Sequence, residues 1–105
     1  MAAADGIVMR VHRVRSEIVV AACDAELLGR ELPIGPGHAT KVTPQFYGER
    51  QVSLEELLWA LEQATSANLL GPRVLRAAEE AGYVGAGGSG TLGGVPHAMI
   101  FSMSH

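Results

Sequence analysis

The chain has 105 residues, of which 48% are apolar and 18% are charged, a composition that excludes a disordered, highly charged polymer and predicts one domain with a small core. The longest unbroken apolar run, Ile18–Cys23, is far too short to cross a bilayer, which takes about 20 residues. The single cysteine excludes an internal disulfide, and the net charge of −3 excludes a uniformly basic surface. With no signal-peptide pattern, we expect a cytoplasmic protein without membrane contact.

The chain begins with a predicted hairpin. Residues 1–6 are small and unpatterned and are interpreted as a flexible leader, with residues 7–105 as a single domain. Apolar and polar residues alternate over Ile7–Val14, as in a half-buried strand, whereas Ile18–Cys23 suits a strand buried on both faces. A turn between residues 14 and 18 joins the two strands.

Two weaker features follow the hairpin. Asp24 is a residue type that favours an N-cap, and it predicts a short helical turn that Gly29 ends. Residues 30–51 contain six proline and glycine residues, so only short extended pieces are expected there, around Thr40–Thr43 and Phe46.

The clearest helix pattern begins at Ser53. Ser53 and Glu56 form a capping box, and the helix is predicted to continue until the Gly71-Pro72 pair interrupts it. Its apolar stripe consists of Leu54, Leu57, Leu58, Leu61, Ala64 and Thr65. A second helix is predicted over residues 73–81.

Glycine is concentrated near the end of the chain. Residues 85–94 hold six glycines and predict a flexible loop. Residues 85–90 match the pattern G-x-G-x-x-G, but a helix precedes them and a strand follows, which is the reverse of the order in a dinucleotide site. Residues 97–103 predict a final strand. We therefore expect an α+β domain whose mixed or antiparallel sheet contains the N-terminal hairpin and the C-terminal strand, packed by two main helices.

Polar residues at the ends of predicted elements are candidates for a ligand site. Gly93 and Gly94 permit a tight turn that holds His97 at the start of the last strand, where an imidazole can exchange protons. Asn68 continues the stripe of the first helix, and His12 lies on the first strand. Structural alternatives remain open: His97 caps a backbone carbonyl, and Asn68 ties the helix end to a loop.

Three arginines, Arg10, Arg13 and Arg15, lie close together in the first hairpin. Guanidinium groups match the geometry of phosphates, so this cluster predicts contact with nucleic acid. The alternative is a solvated strand face whose charges pair with Glu17 or another carboxylate.

Five segments of the chain, taken in order, carry a family resemblance. They are Val11–Val14, Val20–Gly29, Phe46–Gly48, Ala67–Gly71 and Gly93–Ala98. Together they resemble the small archaeal proteins grouped as domain-of-unknown-function family 424, over about residues 9 to 103, although the glycine-rich stretch 85–90 departs from the family pattern. The resemblance implies a cytoplasmic archaeal α+β protein associated with the translation machinery, and it implies no particular activity.

The function expected first is a non-catalytic binding module that acts with RNA or ribosome-associated factors through the arginine cluster. One alternative is a small enzyme or ligand-binding protein with a polar site of His12, Asn68 and His97. Another is a homo-oligomeric interaction domain, because Trp59 falls outside the helix stripe and can serve as an exposed anchor. No catalytic residues, metal site or cofactor are predicted.

Overall fold

The computed structural model describes residues 6–85 and 90–101. Within them the strands are β1 (Ile7–Val14), β2 (Glu17–Asp24), β3 (Glu31–Gly35), β4 (His38–Lys41), β5 (Gln51–Val52), β6 (Ser66–Leu70), β7 (Gly90–Leu92) and β8 (Val95–Ile100). The α-helices are α1 (Pro44–Tyr47), α2 (Leu54–Gln63) and α3 (Pro72–Glu80). A 3-10 turn, Ala25–Leu27, follows β2 and confirms the short helical turn expected there.

The main sheet is mixed and has the strand order β5-β1-β2-β6-β8-β7. β2 and β6 run parallel, and the other neighbouring pairs of this sheet are antiparallel. β3 and β4 pair separately as a two-stranded sheet. This confirms the α+β class, with the N-terminal hairpin β1–β2 and the C-terminal strand β8 both in the main sheet.

The main sheet packs against a different layer on each face. Helices α2 and α3 cover one face, which carries Ile7 and Met9 of β1. Residues 25–47 cover part of the other face, where Val8 and Cys23 lie. Because successive side chains of a strand point to opposite faces, β1 is buried on both sides at its start. The half-buried pattern predicted for this strand is therefore wrong for its first three residues.

The first predicted helix ends earlier than expected, because residues 66–70 form β6 in the middle of the sheet. Thr65 begins the pairing: its backbone N–H donates to the Ile18 carbonyl oxygen and its hydroxyl oxygen accepts the Ile18 N–H, both at 2.8 Å. The two leucines that end β6 are fully buried, one on each face. A short strand buried on both faces shows no alternation, so periodicity alone does not separate it from a helix.

Residues 30–51 also differ from the prediction. They contain the β3–β4 hairpin, and Phe46, which is predicted to be extended, lies in α1. Pro44 occupies the first turn of α1, where a proline favours helix initiation because its missing N–H would have no partner there. The proline therefore starts an element in this segment instead of interrupting one.

Asp24 has a different role from the predicted one. Its carboxylate oxygens accept the backbone N–H groups of Arg73 and Val74 at 3.1 Å each, so it caps α3 instead of the 3-10 turn beside it. The Arg73 guanidinium lies 3.7 Å from the same carboxylate and also donates to the Glu26 carboxylate at 2.7 Å. Gly71, with φ +114°, passes so close that a Cβ there would lie 2.3 Å from the Asp24 Oδ1.

The glycine-rich segment is more ordered at its end than predicted. Gly90–Leu92 forms β7, which pairs with β8, and Gly93 and Gly94 form the turn between them. The loop predicted over 85–94 is therefore wrong for residues 90–92. Residues 1–5, 86–89 and 102–105 lie outside the described residues, and with them lie most of the predicted leader and the end of the predicted last strand.

Trp59 and Cys23 occupy the environments expected of them. The Trp59 side chain is 66% exposed on α2, and its role as an anchor for a second copy of the chain stays a prediction. Cys23 is a free thiol that is fully buried in the sheet. Across the two described ranges, no helix is both long and apolar enough to traverse a bilayer.

The Asp24 cap predicts a large difference between two glycine substitutions. Gly82→Ala places a Cβ at φ +86° in open space and should lower the free energy of unfolding by about 1 kcal/mol through backbone strain alone. Gly71→Ala places a Cβ at φ +114° and ψ 153°, a region that is essentially restricted to glycine, and also drives it into the Asp24 carboxylate, so it should lose at least about 2 kcal/mol more. Urea denaturation measures both values. Equal losses at the two positions would contradict the close approach.

Candidate functional site

A cavity of about 370 Å³ lies between the main sheet and the segment that covers its second face. Strands β6 and β8 supply Asn68, His97 and Met99, and the covering segment supplies Lys41 and Tyr47. The remaining walls are mostly apolar and consist of Val42, Phe46, Leu70 and Leu92, with Thr40 at one side. The volume is within the range of small-molecule sites, at its lower end.

One amide oxygen organises the polar side of this cavity. The Tyr47 hydroxyl donates to Asn68 Oδ1 at 2.8 Å, and His97 Nε2 lies 3.3 Å from the same oxygen. An amide oxygen has two lone pairs and accepts from both groups at once. With both donors directed at Oδ1, the Tyr47 oxygen, the other His97 nitrogen and the Asn68 amino group are available to a ligand.

The sheet register explains why these side chains meet. Asn68 lies opposite Met99 of β8, and Leu70 lies opposite His97. Asn68 and His97 therefore stand two positions apart on the same face, on neighbouring strands, within reach of each other. The short helix α1 then places the Tyr47 ring over this face, where it packs in the smaller core cluster.

The two titratable groups that contact Asn68 are both uncharged at neutral pH, and burial favours that state. Burial, with a smaller contribution from Cys23, raises the pKa of Tyr47 to about 12, so its hydroxyl keeps its proton at neutral pH. Burial also lowers the pKa of His97, so its imidazole is neutral there. Hydrogen-bonding groups without charge thus face the cavity at its polar end, and the only charged side chain on its walls is Lys41, among the residues that the structure describes.

His12 lies near this cavity without lining it. Its Nε2 donates to the Phe46 carbonyl oxygen at 2.7 Å, and its ring stacks on the Phe46 ring with centroids 5.3 Å apart. Phe46 in turn meets Tyr47 edge to face at 4.8 Å. His12 is therefore connected to the polar cluster through two aromatic rings of α1.

The structure places the five predicted ligand residues at three different distances from the cavity. Asn68 and His97 are in contact, and His12 is linked to them indirectly. Gly93 and Gly94 form the β7–β8 turn outside the cavity wall. Gly93 packs against β3, where a Cβ would lie 2.9 Å from both the Leu32 Cβ and the Pro33 carbonyl oxygen.

Sequence reasoning missed Tyr47. The residue belongs to the Phe46-Tyr47 pair, which comes directly after the Thr-Pro-Gln start of α1. A threonine followed by proline is a helix-start signal, and it would have placed two adjacent aromatic rings on one short helix. Which strand those rings pack against depends on the path of the chain between β2 and α1.

The arginines of the first hairpin are exposed, but they do not share one face. Arg10 lies on the same face of β1 as His12, and Arg13 lies on the opposite face. Arg15 is in the β1–β2 turn with φ +57°. The Glu17 carboxylate, which the alternative interpretation names as one partner for these charges, accepts the hydroxyl of Thr65 at 2.9 Å.

Carboxylate, histidine and cysteine side chains are dispersed over the fold. Within residues 6–85 and 90–101, no group of three such side chains is close enough to hold a metal ion. Burial is the main cause that raises the pKa of Cys23 to about 12, so its thiol is protonated at neutral pH.

Comparison with known proteins identifies the family. The model of the family described as "Protein of unknown function (DUF424)" matches residues 12–103, and the chain belongs to that family. A solved crystal structure of an uncharacterised conserved protein from Methanopyrus kandleri is similar to this chain with a TM-score of 0.81 and 24% sequence identity, covering 94% of this chain and 93% of that one. At this identity the likeness shows the fold alone. No curated protein is significantly similar to the chain.

The lowered pKa of His97 predicts a pH-dependent contribution to stability. The unfolded histidine titrates near 6.5 and the folded one below it, so the unfolded chain binds more protons between the two values. This contribution is fully present above pH 6.5 and is lost as the pH falls toward the folded pKa. The free energy of unfolding of the wild type should therefore decline below pH 6.5 relative to that of His97→Gln.

Urea denaturation over this pH range measures the free energy of unfolding of both proteins. In the difference between the two values, the contributions of all other titratable groups cancel. His38→Gln is the matched control, because it removes one imidazole from an exposed strand position outside the cavity. Parallel profiles for the wild type and His97→Gln would rule out the effect.

Proposed function

We propose that this member of the DUF424 family is a non-catalytic protein that binds single-stranded RNA across β1 and α1. The observation that carries the proposal is the His12–Phe46 stack, which stands on the same face of β1 as Arg10. Rings beside a guanidinium group combine the two features that single-stranded nucleic acid requires, a surface for base stacking and a cation for phosphate.

The exposure of the rings supports this function. Phe46 is 36% exposed even though its ring stacks on His12 and meets Tyr47, so part of it remains open to a base. Met99, at the far side of the cavity, is 52% exposed. These apolar groups extend from the hairpin toward β8, which is the direction in which a strand of several nucleotides would run.

Charge at this end of the fold supports the same function. Arg10 also borders a broad groove of about 550 Å³, and Arg15 adds a positive charge at the hairpin tip. Arg50 lines the same groove but pairs with the Glu56 carboxylate, Glu49 adds a negative charge there, and Arg13 lies on the opposite face of β1. The acidic total of the chain is compatible with this arrangement because Glu55, Glu62, Glu79 and Glu80 lie on the helices of the other layer.

The chemical state of the reactive side chains favours binding over catalysis. Cys23 is buried as a protonated thiol, and Tyr47 keeps its proton because burial raises its pKa to about 12. His97 uses one ring nitrogen on Asn68. Tyr47 and His97 line the cavity and are suited to hydrogen bonding with a ligand. None of the three groups has the activated state that nucleophilic catalysis requires.

Removal of Arg10 tests the electrostatic part of the proposal. Arg10→Gln should weaken binding to a short oligouridylate and reduce the slope of log K against log salt by about 0.7, the value for one phosphate contact in a single strand. The matched control is Arg76→Gln, which removes an exposed arginine from α3 on the opposite layer and should leave the slope unchanged. Fluorescence anisotropy at several salt concentrations measures both. Binding that does not depend on salt would contradict the proposal.

Replacement of Phe46 tests stacking separately from charge. Phe46→Leu keeps an apolar side chain but removes the aromatic face, so the affinity should fall by about 1–3 kcal/mol while the salt slope stays the same. Trp59→Leu is the control, since it removes an exposed aromatic ring from α2 on the other layer. An equal loss of affinity in the two variants would show that α1 is not the stacking surface.

A further inference from the structure

One edge of β1 is paired along only part of its length. β5 pairs with the first two residues of β1, and the Arg50 carbonyl oxygen then accepts the Met9 N–H at 3.2 Å. On its other side β1 pairs with β2 over all its residues. Within residues 6–85 and 90–101, β5 is the only strand on the first side of β1. The edge is therefore open along residues 11–14.

The position of the Met9 hydrogen bond determines which backbone groups lie at the open edge. In an antiparallel sheet, the N–H and C=O groups of successive residues of a strand point alternately to its two neighbours. The Met9 N–H points away from β2, toward Arg50. The N–H and C=O groups of Val11 and Arg13 therefore point the same way. Two donors and two acceptors, spaced as in a sheet, are thus directed at the open edge.

A groove borders the open edge and has room for an added strand. Its volume is about 550 Å³, and residues 9–11 of β1 line it. Pro44 and Gln45 of α1 line it as well, together with residues 48–50, which lead into β5. An extended peptide needs such a space beside an open strand, because its side chains project on both faces of the sheet that it extends.

Positive charge lies on both faces of the open edge. Arg10 and Arg13 are exposed on opposite faces of β1, and Arg15 follows in the turn. A strand that is added at this edge would therefore meet an arginine on each of its faces. Side chains directly opposite each other on paired strands stabilise the pair when their charges differ and destabilise it when they are alike.

The surrounding charges favour an acidic partner over a second copy of this chain. The Glu17 carboxylate lies on β2 and accepts the Thr65 hydroxyl, and Glu49 lies in the segment that leads into β5. Two copies of β1 paired edge to edge would bring the three arginines of each chain into one short ladder. Charged side chains on an edge strand prevent this kind of self-association, and the same charges attract an acidic segment.

We propose that the open edge of β1 binds an extended acidic segment of a partner protein as an added antiparallel strand. The backbone groups of Val11 and Arg13 form its hydrogen bonds, and the direction is that of β5 at the same edge. Acidic residues then stand opposite Arg13 and Arg10, and an apolar residue stands opposite Val11, which is 36% exposed. The inference is independent of the proposed RNA binding, which depends on the rings of His12 and Phe46.

A fluorescent peptide with the central sequence Glu-Thr-Val-Glu tests the backbone contacts on the unmodified chain. In the proposed register the valine lies opposite Val11, so its amide faces β1 and the threonine amide faces away. N-methylation of the valine amide should weaken binding at least about fivefold, because it removes one hydrogen bond. N-methylation of the threonine amide is the matched control and should change the affinity less than about twofold. Fluorescence anisotropy measures both, and equal effects would overturn the added strand.

The charge preference is tested with a second peptide and a protein variant. A peptide with the central sequence Lys-Thr-Val-Lys should bind much more weakly than the acidic one. Arg13→Gln should weaken binding of the acidic peptide about two- to fivefold, as expected for one cross-strand charge pair. Arg76→Gln, which removes an exposed arginine from α3, should keep the wild-type affinity. Equal affinity for the acidic and the basic peptide would overturn the assigned class of partner.

Hydrogen exchange of the backbone amides locates the bound strand. The Val11 and Arg13 amides should exchange more slowly in the presence of the acidic peptide, because each then donates to a peptide carbonyl oxygen. The His12 amide already points to β2 and should change less. Binding of the peptide without slower exchange at Val11 and Arg13 would overturn the proposed edge. A dimer of the free chain in light scattering that the peptide dissociates would show that a second copy is the occupant.

These outcomes are distinguishable from those of the RNA proposal. Phe46→Leu should bind the acidic peptide as the wild type does, because the strand edge uses no aromatic ring. RNA binding without peptide binding at concentrations up to about 1 mM would overturn the added strand and leave the RNA-binding function in place. Peptide binding without RNA binding would have the opposite meaning.

Discussion

The arrangement of β2, β6, β8 and α3 depends on the hydrogen bonds that the buried Asp24 carboxylate accepts from the start of α3. Asp24 ends β2 and accepts the first two free N–H groups of α3, so it joins two elements that are about 50 residues apart. Gly71 passes over it between β6 and α3, and the Gly71 N–H donates to the Pro96 carbonyl oxygen of β8 at 2.8 Å. One corner of the fold therefore sets the relative positions of β2, β6, β8 and α3.

Burial of the Asp24 carboxylate removes its hydration, and the groups around it compensate for that loss. Desolvation raises the pKa of Asp24 above its ordinary value, although the backbone N–H groups of Arg73 and Val74 favour the charged form. A buried carboxylate without partners would be strongly destabilising. Here two backbone donors, the helix N-terminus and the nearby Arg73 guanidinium compensate for lost hydration, and a residue without a side chain at position 71 makes room for them.

The same constraint leads to the candidate site. Because β6 is held parallel to β2, Asn68 lies in the centre of the sheet opposite Met99 and two positions from His97. The segment that leaves the corner after Asp24 then crosses the sheet and ends in α1, which brings Tyr47 over Asn68 and Phe46 over His12. A polar cluster inside the cavity and an aromatic stack outside it thus arise from one crossing of the chain.

Local patterns in the sequence were sufficient for the elements that depend on neighbouring residues. The hairpin β1–β2, the Ser53 cap of α2, the helix α3 and the burial of Cys23 follow from short-range periodicity and residue type, because each is decided within a few residues. Only the tertiary structure decided the partner of Asp24, the strand at 66–70 and the contact of Tyr47 with Asn68. The Asp24 and Tyr47 contacts join residues that are distant in sequence. The strand at 66–70 is short and buried on both faces, so its sequence pattern does not distinguish it from a helix, and pairing with β2 decides the extended form.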